Sequence, residues 1–578
     1  MENREIAKIF SQIADVLELK DENVFRIRAY RTASQNILSM AVQLADMYKE
    51  DPSALSNIQG IGKDLKEKII EILEAGGLKY HKELLKEFPP EFLDLLNVSG
   101  LGPKKLKKLK DDLGIETLAD LEKACEERKL EHLEGMGAKT QSRILDAIQY
   151  FKMQAGRMLL PEATTQAREV MEYLKKSGNF KKIEPAGSLR RGRETVGDLD
   201  ILTVADNSRK AMDHFVSYSR VQDILAKGPT KSSILMKSGS QVDLRVIDRS
   251  CFGAAFLYFT GSKAHNIKLR TVAKNKGYKV SEHGIFKVDP LSKKEKLTAG
   301  KTEKAVYRVL GMEWIPPELR EDRGEIEAAM ADKLPKSLIE LKHIKGDLHV
   351  HTTATDGHNT IEEMARAAKS MGYAYLGITD HSKAVRIANG MDEKRLLKHM
   401  EMIRKVDGRI KGIKLLAGIE VDILRDGKLD LKDAVLKELD IVIAAIHSHF
   451  ALDRETQTAR VLKGMENKHV NVLAHPSGRL IARRSPIELD FDRVFTLARN
   501  ANIYLEVNTH GKRIDLNDVH CRRARGIGAK LAINTDSHDT DSLDQMIYGV
   551  TAARRGWVEK NDVLNTRPLG PLLKALKR

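Results

Sequence analysis

GSLRRGRETVGDLDIL, Gly187 to Leu202, is the stretch that decides how the middle of this chain folds. Asp198 and Asp200 stand two apart in an apolar run, and on a strand that spacing puts both carboxylates on one face. A second apolar run, VDLRVI (Val242–Ile247), brings a third carboxylate, Asp243, on another strand. Three such carboxylates form a holder for two divalent ions, the arrangement that suits in-line nucleotidyl transfer. Gly187 and Ser188 offer a close turn and a hydroxyl to triphosphate oxygens, Arg191 a positive charge, and Gly197 heads the aspartate strand. A lone Asp-Leu-Asp more often ends a strand in solvent. The Gly-Ser pair eleven residues ahead and the third aspartate behind argue against that here.

Upstream, residues 1 to about 155 read as helices with short turns. Ile6, Ile9, Phe10, Ile13 and Val16 recur at helical spacing. Three echoes follow: Ile58-Gln-Gly-Ile-Gly62, Val98-Ser-Gly-Leu-Gly102 and Leu133-Glu-Gly-Met-Gly137. Each leads into a lysine-bearing helix, as in KDLKEKIIEIL and PKKLKKLKDDL. Gly60 and Gly62, Gly100 and Gly102, and Gly135 and Gly137 thus sit where a tight hairpin exposes backbone N–H groups at a helix start. Such donors bind a phosphate without reading the base. One Gly-x-Gly closes many ordinary turns; three with the same flanks point to a DNA backbone.

Downstream, residues 251–315 form a smaller mixed unit containing YFTGSKAHNIKLR (Tyr258–Arg270) and SEHGIF (Ser281–Phe286). Residues 316–341 read as a charged linker with some helix. After Gly346, short apolar strands (YLGITD, IVIAAIH, VNVLAHP, IYLEVN, LAINTD) alternate with helical segments, which predicts an α/β barrel-like domain. Thirteen of the eighteen histidines fall between His343 and His538. His349 and His351, Asp380-His381, Glu420, His447, His475 and Asp536-x-His538 each follow or end an apolar strand. In a barrel of parallel strands those ends converge on one rim. Mixed imidazole and carboxylate ligation suits zinc, manganese or iron rather than magnesium alone. Arg479, Arg483 and Arg484 follow AHP, as phosphate contacts or as solvated loop charge.

At 578 residues the chain holds several domains. A net charge of +16 fits a polyanionic partner, although a generally basic surface reads the same way. Cys125, Cys251 and Cys521 lie too far apart for a disulfide framework or a cysteine-based zinc site. The first residues lack the apolar core of a signal peptide and no run reaches the length of a membrane span, so a cytoplasmic location without membrane partners is expected.

YFTGSKAHNIKLR and SEHGIF, together with the aspartate strand, resemble the family X DNA polymerases over roughly residues 1–315. The resemblance implies that Tyr258 and Phe259 line the sugar pocket, with Gly261 in the same nucleotide-binding segment. Asn266 is then expected to meet the minor-groove edge of the incoming base and Arg270 the template strand. Lys263 and Gln241 depart from animal members, which carry an acid and an arginine there. The helical front end is similar to that family's lyase domain. Lys68 falls at the Schiff-base position, with Lys63 and Lys66 near enough to lower its proton affinity; a phosphate-contacting or solvated lysine is the plainer reading. The histidine-rich half resembles the PHP (polymerase and histidinol phosphatase) family. That resemblance assigns the ligands to His349, His351, Asp356, His381, Glu420, His447, His475, Asp536 and His538, with His358 and His449 as weaker candidates.

The expected architecture is therefore multidomain, α+β and α/β. Residues 1–85 form a helical lyase-like DNA-binding domain and 86–155 a helix-hairpin-helix duplex-binding subdomain. Residues 156–250 form a nucleotidyltransferase palm, 251–315 a nucleotide-binding closure subdomain, 316–341 a linker and 342–578 a distorted (β/α)7 PHP barrel. The expected function is short-gap filling on gapped or primer-template DNA from deoxynucleoside triphosphates, with metal-dependent 3′-5′ exonuclease activity. Abasic-site endonuclease and deoxyribose-phosphate lyase are possible additions. Mg2+ or Mn2+ is expected in the palm, two to three ions of Mn2+, Zn2+ or Fe2+ in the barrel, and a monomer in solution. The alternatives are a DNA-binding repair scaffold with weak catalysis, or a nucleotidyltransferase and phosphatase acting on small molecules.

Overall fold

The computed structural model describes residues 157–577 throughout. In the helical front end it describes 3–38, 44–52, 61–88, 95–98 and 101–133, together with 55, 58, 92, 93, 136–138, 140–142, 144, 145 and 148. Two compact units emerge, residues 1–155 with 482–485, and the remainder.

In the first unit, the helix Asn3–Leu19 packs along Val24–Leu38. Its apolar stripe (Ile6, Phe10, Ile13, Leu17) is fully buried, and Phe10 meets Tyr30 edge-on at 5.6 Å. A second cluster forms from Leu106, Leu109, Leu121, Leu130, Ile144 and Ile148. The helix Pro103–Leu113 shows why it starts and stops where it does. Proline occupies its first turn, where no N–H partner is needed, and Gly114 ends it at φ 65°.

The second unit begins with a five-stranded sheet. Its strands are β1 (Phe180–Pro185), β2 (Asp198–Ala205), β3 (Val221–Lys227), β4 (Lys231–Met236) and β5 (Gln241–Val246). They lie in the order β1-β2-β5-β4-β3, with only β2 and β5 parallel. Leu199, Ile201, Val242 and Leu244 face the helices Leu160–Lys176 and Ser208–Val216 and bury against Val170, Leu174, Met212 and Phe215. The alternating residues Asp198, Asp200 and Asp243 therefore share the opposite face. A three-stranded antiparallel sheet follows: β6 (Tyr278–Ser281), β7 (Gly284–Val288) and β8 (Glu295–Ala299).

Residues 316–341 are not a linker. Leu319, Ile326, Ala329, Leu334 and Leu338 bury in one core with Leu257, Leu269, Val306 and Trp557. The charges that suggested solvent are used internally. Arg320 is fully buried against Glu303 at 2.8 Å, and Glu325 fully buried against His265 at 2.7 Å.

The chain then closes a parallel barrel of seven strands in sequential order. These are β9 (Gly346–Val350), β10 (Tyr375–Ile378), β11 (Lys414–Asp422), β12 (Ile441–Ala445), β13 (Val472–Leu473), β14 (Tyr504–Asn508) and β15 (Lys530–Asn534). A parallel bridge between Val350 and Ser537 joins the first strand to the loop after the last. Almost every strand residue is buried, because a parallel sheet is covered on both faces. The helix Leu569–Leu576 caps one end, seating Leu572 and Leu576 against Leu348, Tyr375 and Leu416. The opposite end carries the histidines. Among the described residues, no helix is long and apolar enough to cross a membrane.

Candidate metal and nucleotide sites

The nine barrel residues singled out as ligands converge on that rim. His349 lies in β9 and His351 one residue beyond it; His381, His447, His475, Asp536 and His538 follow the ends of β10, β12, β13 and β15. Glu420 sits inside β11 and Asp356 in the loop after β9. Three groups bring their donor atoms within 4.8 Å of one another: His349, His351 and Asp536; His351, Asp356, His381 and His538; and His381, Glu420 and His447. Glu420 is the hub, with Oε1 at 3.0 Å from His475 Nε2 and 3.3 Å from His447 Nε2, and Oε2 at 2.7 Å from His381 Nδ1.

Several contacts fit metal ligation better than hydrogen bonding. The Nε2 atoms of His349 and His351 face each other at 3.2 Å. His351 Nδ1, His381 Nδ1, His475 Nδ1 and Glu420 Oε2 are buried and, among the described residues, make no hydrogen bond. The His381–Glu420 approach of 2.7 Å thus lacks hydrogen-bond alignment. Buried polar atoms without partners are costly, and cations among these nitrogens and oxygens would satisfy them. His475 and Asp536 also hold positive φ, 26° and 55°, a strained backbone that concentrates at working sites.

The ionisation states follow the crowding. Burial disfavours a charged His349, yet Glu506, Asp536 and Glu420 outweigh it and hold its pKa well above the usual value. Burial and then the neighbouring His538 and His381 push His351 down to about 4. Burial works against the Glu420 carboxylate, but His447, His381 and His349 reverse the balance and hold its pKa well below normal.

An outer ring holds these side chains, and the motifs did not reveal most of it. Glu506 in β14 lies 2.7 Å from His349 Nδ1 and accepts from the His475 backbone N–H at 2.8 Å. Asp422 lies 3.2 Å from His447 Nδ1, and the Asn508 amide donates to Asp536 at 2.9 Å. Asp380 is saturated by Thr352, Thr355 and His399, so it supports the rim and does not join it. The signal available in sequence was a carboxylate inside an otherwise apolar strand, as in YLEVN and GIEVD. Arg479 is not a free phosphate contact: its guanidinium is paired with Glu194 of the palm at 2.5 Å and accepted by the Ile514 carbonyl.

In the palm, β2 and β5 run in register with Asp200 opposite Asp243 and Asp198 opposite Gln241. Burial, then Asp198 and Asp243, raise Asp200 to a pKa of about 6. Burial also opposes the Asp243 carboxylate. Hydrogen bonds from Gln241 at 2.9 Å and Lys231 at 2.9 Å override it and lower the pKa. Lys231, which the motifs did not single out, thus stands where a cation is needed. The three oxygens do not close to the spacing reached in the barrel. Gly187 is dictated by this site: at φ 58°, a Cβ there would lie 2.5 Å from Asp200 Oδ2.

Ser188 is the second residue of the helix Gly187–Arg190, and a Cβ on Gly197 would meet Arg157 at 3.0 Å. Arg191 is engaged: Nε lies 3.0 Å from Glu321 and a terminal nitrogen donates to the Thr260 carbonyl. Tyr258 and Phe259 end the helix Phe252–Thr260 edge-on to each other at 5.1 Å, with the Arg245 guanidinium 4.3 Å above Phe259. Gly261 follows at φ 70°. Asn266 donates to the Tyr258 carbonyl at 2.7 Å, and Arg270 is exposed on the same helix, Lys263–Asn275.

In the helical unit, Gly62 and Gly102 immediately precede helices that no side chain caps, and Gly137 precedes a helical turn. Among the described residues, a Cβ on any of the three would meet nothing within 4 Å, and none has positive φ. Among the described residues neither packing nor a positive φ demands glycine at these helix starts. Gly60, Gly100 and Gly135 lie outside the described residues. Lys68 is paired with Asp64 and sits 6.0 Å from the Tyr80 ring centroid, so its ammonium is already engaged.

Residues 1–78 match a helix-hairpin-helix domain family and 92–149 a SAM-like helix-hairpin-helix tandem. Residues 255–321 match the DNA polymerase beta thumb and 347–510 the PHP domain. The DNA polymerase/3'-5' exonuclease PolX of Bacillus subtilis (strain 168) is 38% identical over 580 residues, covering 100% of each chain. Proteins named probable phosphatase are similar over a smaller share. One from Shewanella oneidensis is 27% identical over 39% of this chain and 89% of its own. One from Acetivibrio thermocellus is 28% identical over 33% of this chain and 78% of its own.

Proposed function

We propose residue roles and a substrate for a chain that belongs to the family X DNA polymerases carrying a PHP domain, a DNA polymerase with 3′-5′ exonuclease activity. Asp198, Asp200 and Asp243 hold Mg2+ or Mn2+, Asp243 kept ionised by Lys231 and Gln241. Gly187, Ser188, Gly197 and Arg191 receive the triphosphate. Tyr258, Phe259 and Gly261 bound the sugar, Asn266 meets the base and Arg270 the template strand. The nine barrel residues hold two to three ions of Mn2+, Zn2+ or Fe2+. Divalent ions in the two sites supply charge neutralisation and activation of the attacking hydroxyl or water. His349 and His351 are fixed by Glu506 and Asp536, so the DNA 3′ end meets a preorganised rim.

Gly62, Gly102 and Gly137, with Gly60, Gly100 and Gly135, let the DNA backbone approach helix N-termini. The substrate is gapped or primer-template DNA with deoxynucleoside triphosphates, and the task is filling short repair gaps as a monomer. Lys68 as a lyase nucleophile requires release from Asp64 when an abasic sugar binds.

The observation that carries this reading is the convergence of eight histidines and carboxylates on one rim, with His475 against Glu420, in the same chain as the Asp200–Asp243 pair. The test is a 5′-labelled primer in a one-nucleotide gap, incubated with manganese. Extension with nucleotides and shortening without them is the expected result; no change in either direction, with folded protein, overturns it. The likeness to probable phosphatases favours a second reading for the barrel alone, a phosphomonoester substrate. Release of phosphate from p-nitrophenyl phosphate without cleavage of DNA would select it.

A further inference from the structure

Among the side chains by which the barrel reaches into the polymerase half, Arg555 is the one that touches Arg191. Arg555 ends the helix Met546–Arg555 and is 5% exposed. Its guanidinium donates to the Arg191 backbone carbonyl at 2.6 Å and to Glu321 Oε1 at 3.0 Å; its other terminal nitrogen donates to Asp518 at 2.9 Å. Glu321 Oε1 is also the partner of Arg191 Nε, at 3.0 Å. Arg555 therefore grips the nucleotide loop twice, by the backbone of Arg191 and by the counter-ion of its side chain. Asp518 fixes Arg555 from the barrel side and pairs with Arg323 at 3.0 Å. The loop is pressed onto the same helix: at Gly192, φ 63°, a Cβ would come within 2.1 Å of Thr551 Cγ2.

These contacts leave Arg191 with Nε and one terminal nitrogen engaged. Among the described residues its second terminal nitrogen has no partner, and a phosphate oxygen is the acceptor it fits. Free to rotate, an arginine gives up side-chain entropy when it grips a ligand; held at Nε by Glu321, it has already lost that freedom.

We infer that Arg555 is a positioning residue of the polymerase reaction: the nuclease barrel holds Arg191 in place for the triphosphate of the incoming nucleotide. The inference rests on the assignment of Arg191 to the triphosphate. Arg555 touches neither nucleotide nor DNA, so its effect passes through Arg191 and Glu321. It should appear in nucleotide binding more than in turnover.

The test uses the full chain on gapped primer, measuring KM and kcat for the nucleotide in Arg191→Ala, Arg555→Ala, Arg555→Lys and the Arg191→Ala/Arg555→Ala double variant. Exonuclease rate on a labelled single strand is followed in parallel. We expect Arg555→Ala to raise KM about tenfold, the loss typical of a charge-assisted contact, with kcat changed less than threefold. Exonuclease activity should stay within about twofold. The double variant should be no worse than Arg191→Ala alone, because both act on one contact. Arg555→Lys keeps the charge but lacks the planar fork that reaches Glu321 and Asp518 from two nitrogens, so it should fall between; it also serves if the alanine variant does not fold. An unchanged KM in Arg191→Ala defeats the assignment of Arg191 itself. A raised KM there with none in Arg555→Ala, additive losses in the double variant, or an equal loss of exonuclease activity defeats the inference about Arg555 alone.

Discussion

At the scale of single residues, Glu506 and Glu303 show two uses of a buried carboxylate. Glu506 holds His349 from behind, and removing such a partner typically costs ten- to a hundredfold in metal affinity or activity. Glu506→Gln should therefore lose about that much exonuclease activity, with partial rescue by added manganese, and leave primer extension intact. Equal loss of both activities would contradict its role. Glu303 is structural. Burial works against its carboxylate, but Arg320 and Arg190 outweigh it and lower the pKa from 4.5 to about 2. A depressed pKa contributes stability that is complete above the unfolded value and lost as pH falls through the folded one, here between about 4.5 and 2. That shift corresponds to roughly 3 kcal/mol. The gap in melting temperature between wild type and Glu303→Gln should be constant near neutrality and shrink across this acid window. A gap independent of pH would mean that the ion pairs contribute little. The rim residues were legible where a histidine follows an apolar strand, as His381, His447 and His475 do. Glu506 and Asp422 were not singled out, because their partners His349 and His447 come from other strands and meet them only once the barrel closes.

At the scale of elements, two kinds of glycine make opposite predictions. Gly187 has positive φ and a Cβ would strike Asp200, so Gly187→Ala should displace the metal carboxylate and reduce extension by at least about a hundredfold. Gly102 has open space around it and an ordinary φ. Gly102→Val should leave the melting temperature within about 2 °C yet weaken binding to gapped DNA several-fold, read by fluorescence anisotropy at fixed salt. Unchanged affinity would remove that helix start from the DNA interface. The apolar strands, the helical front end and the shared face of Asp198, Asp200 and Asp243 could be read from periodicity. The packing of residues 316–341 could not. Its apolar residues are spaced among charges that are solvated in most proteins, and only the tertiary partners Glu303 and His265 turn Arg320 and Glu325 inward.

At the scale of the molecule, the chain carries two metal-dependent reactions with opposite outcomes on a primer end. Tethering raises the effective concentration of one site near the product of the other. The sites share no residue: Asp198, Asp200 and Asp243 lie on the palm sheet and the nine rim residues on the barrel. Contacts such as Arg479–Glu194 join the two folds without joining the two sites. Sequence motifs identified both reactions but not this docking, because it is made by arginines whose acceptors lie more than 200 residues away in the chain. The measurement that tests the account most directly follows one labelled gapped primer with Asp200→Ala and with His349→Ala, each with and without nucleotides. The account predicts that Asp200→Ala abolishes extension and still shortens the primer, while His349→Ala extends and no longer shortens it. Loss of both activities in either variant would contradict two separate active sites.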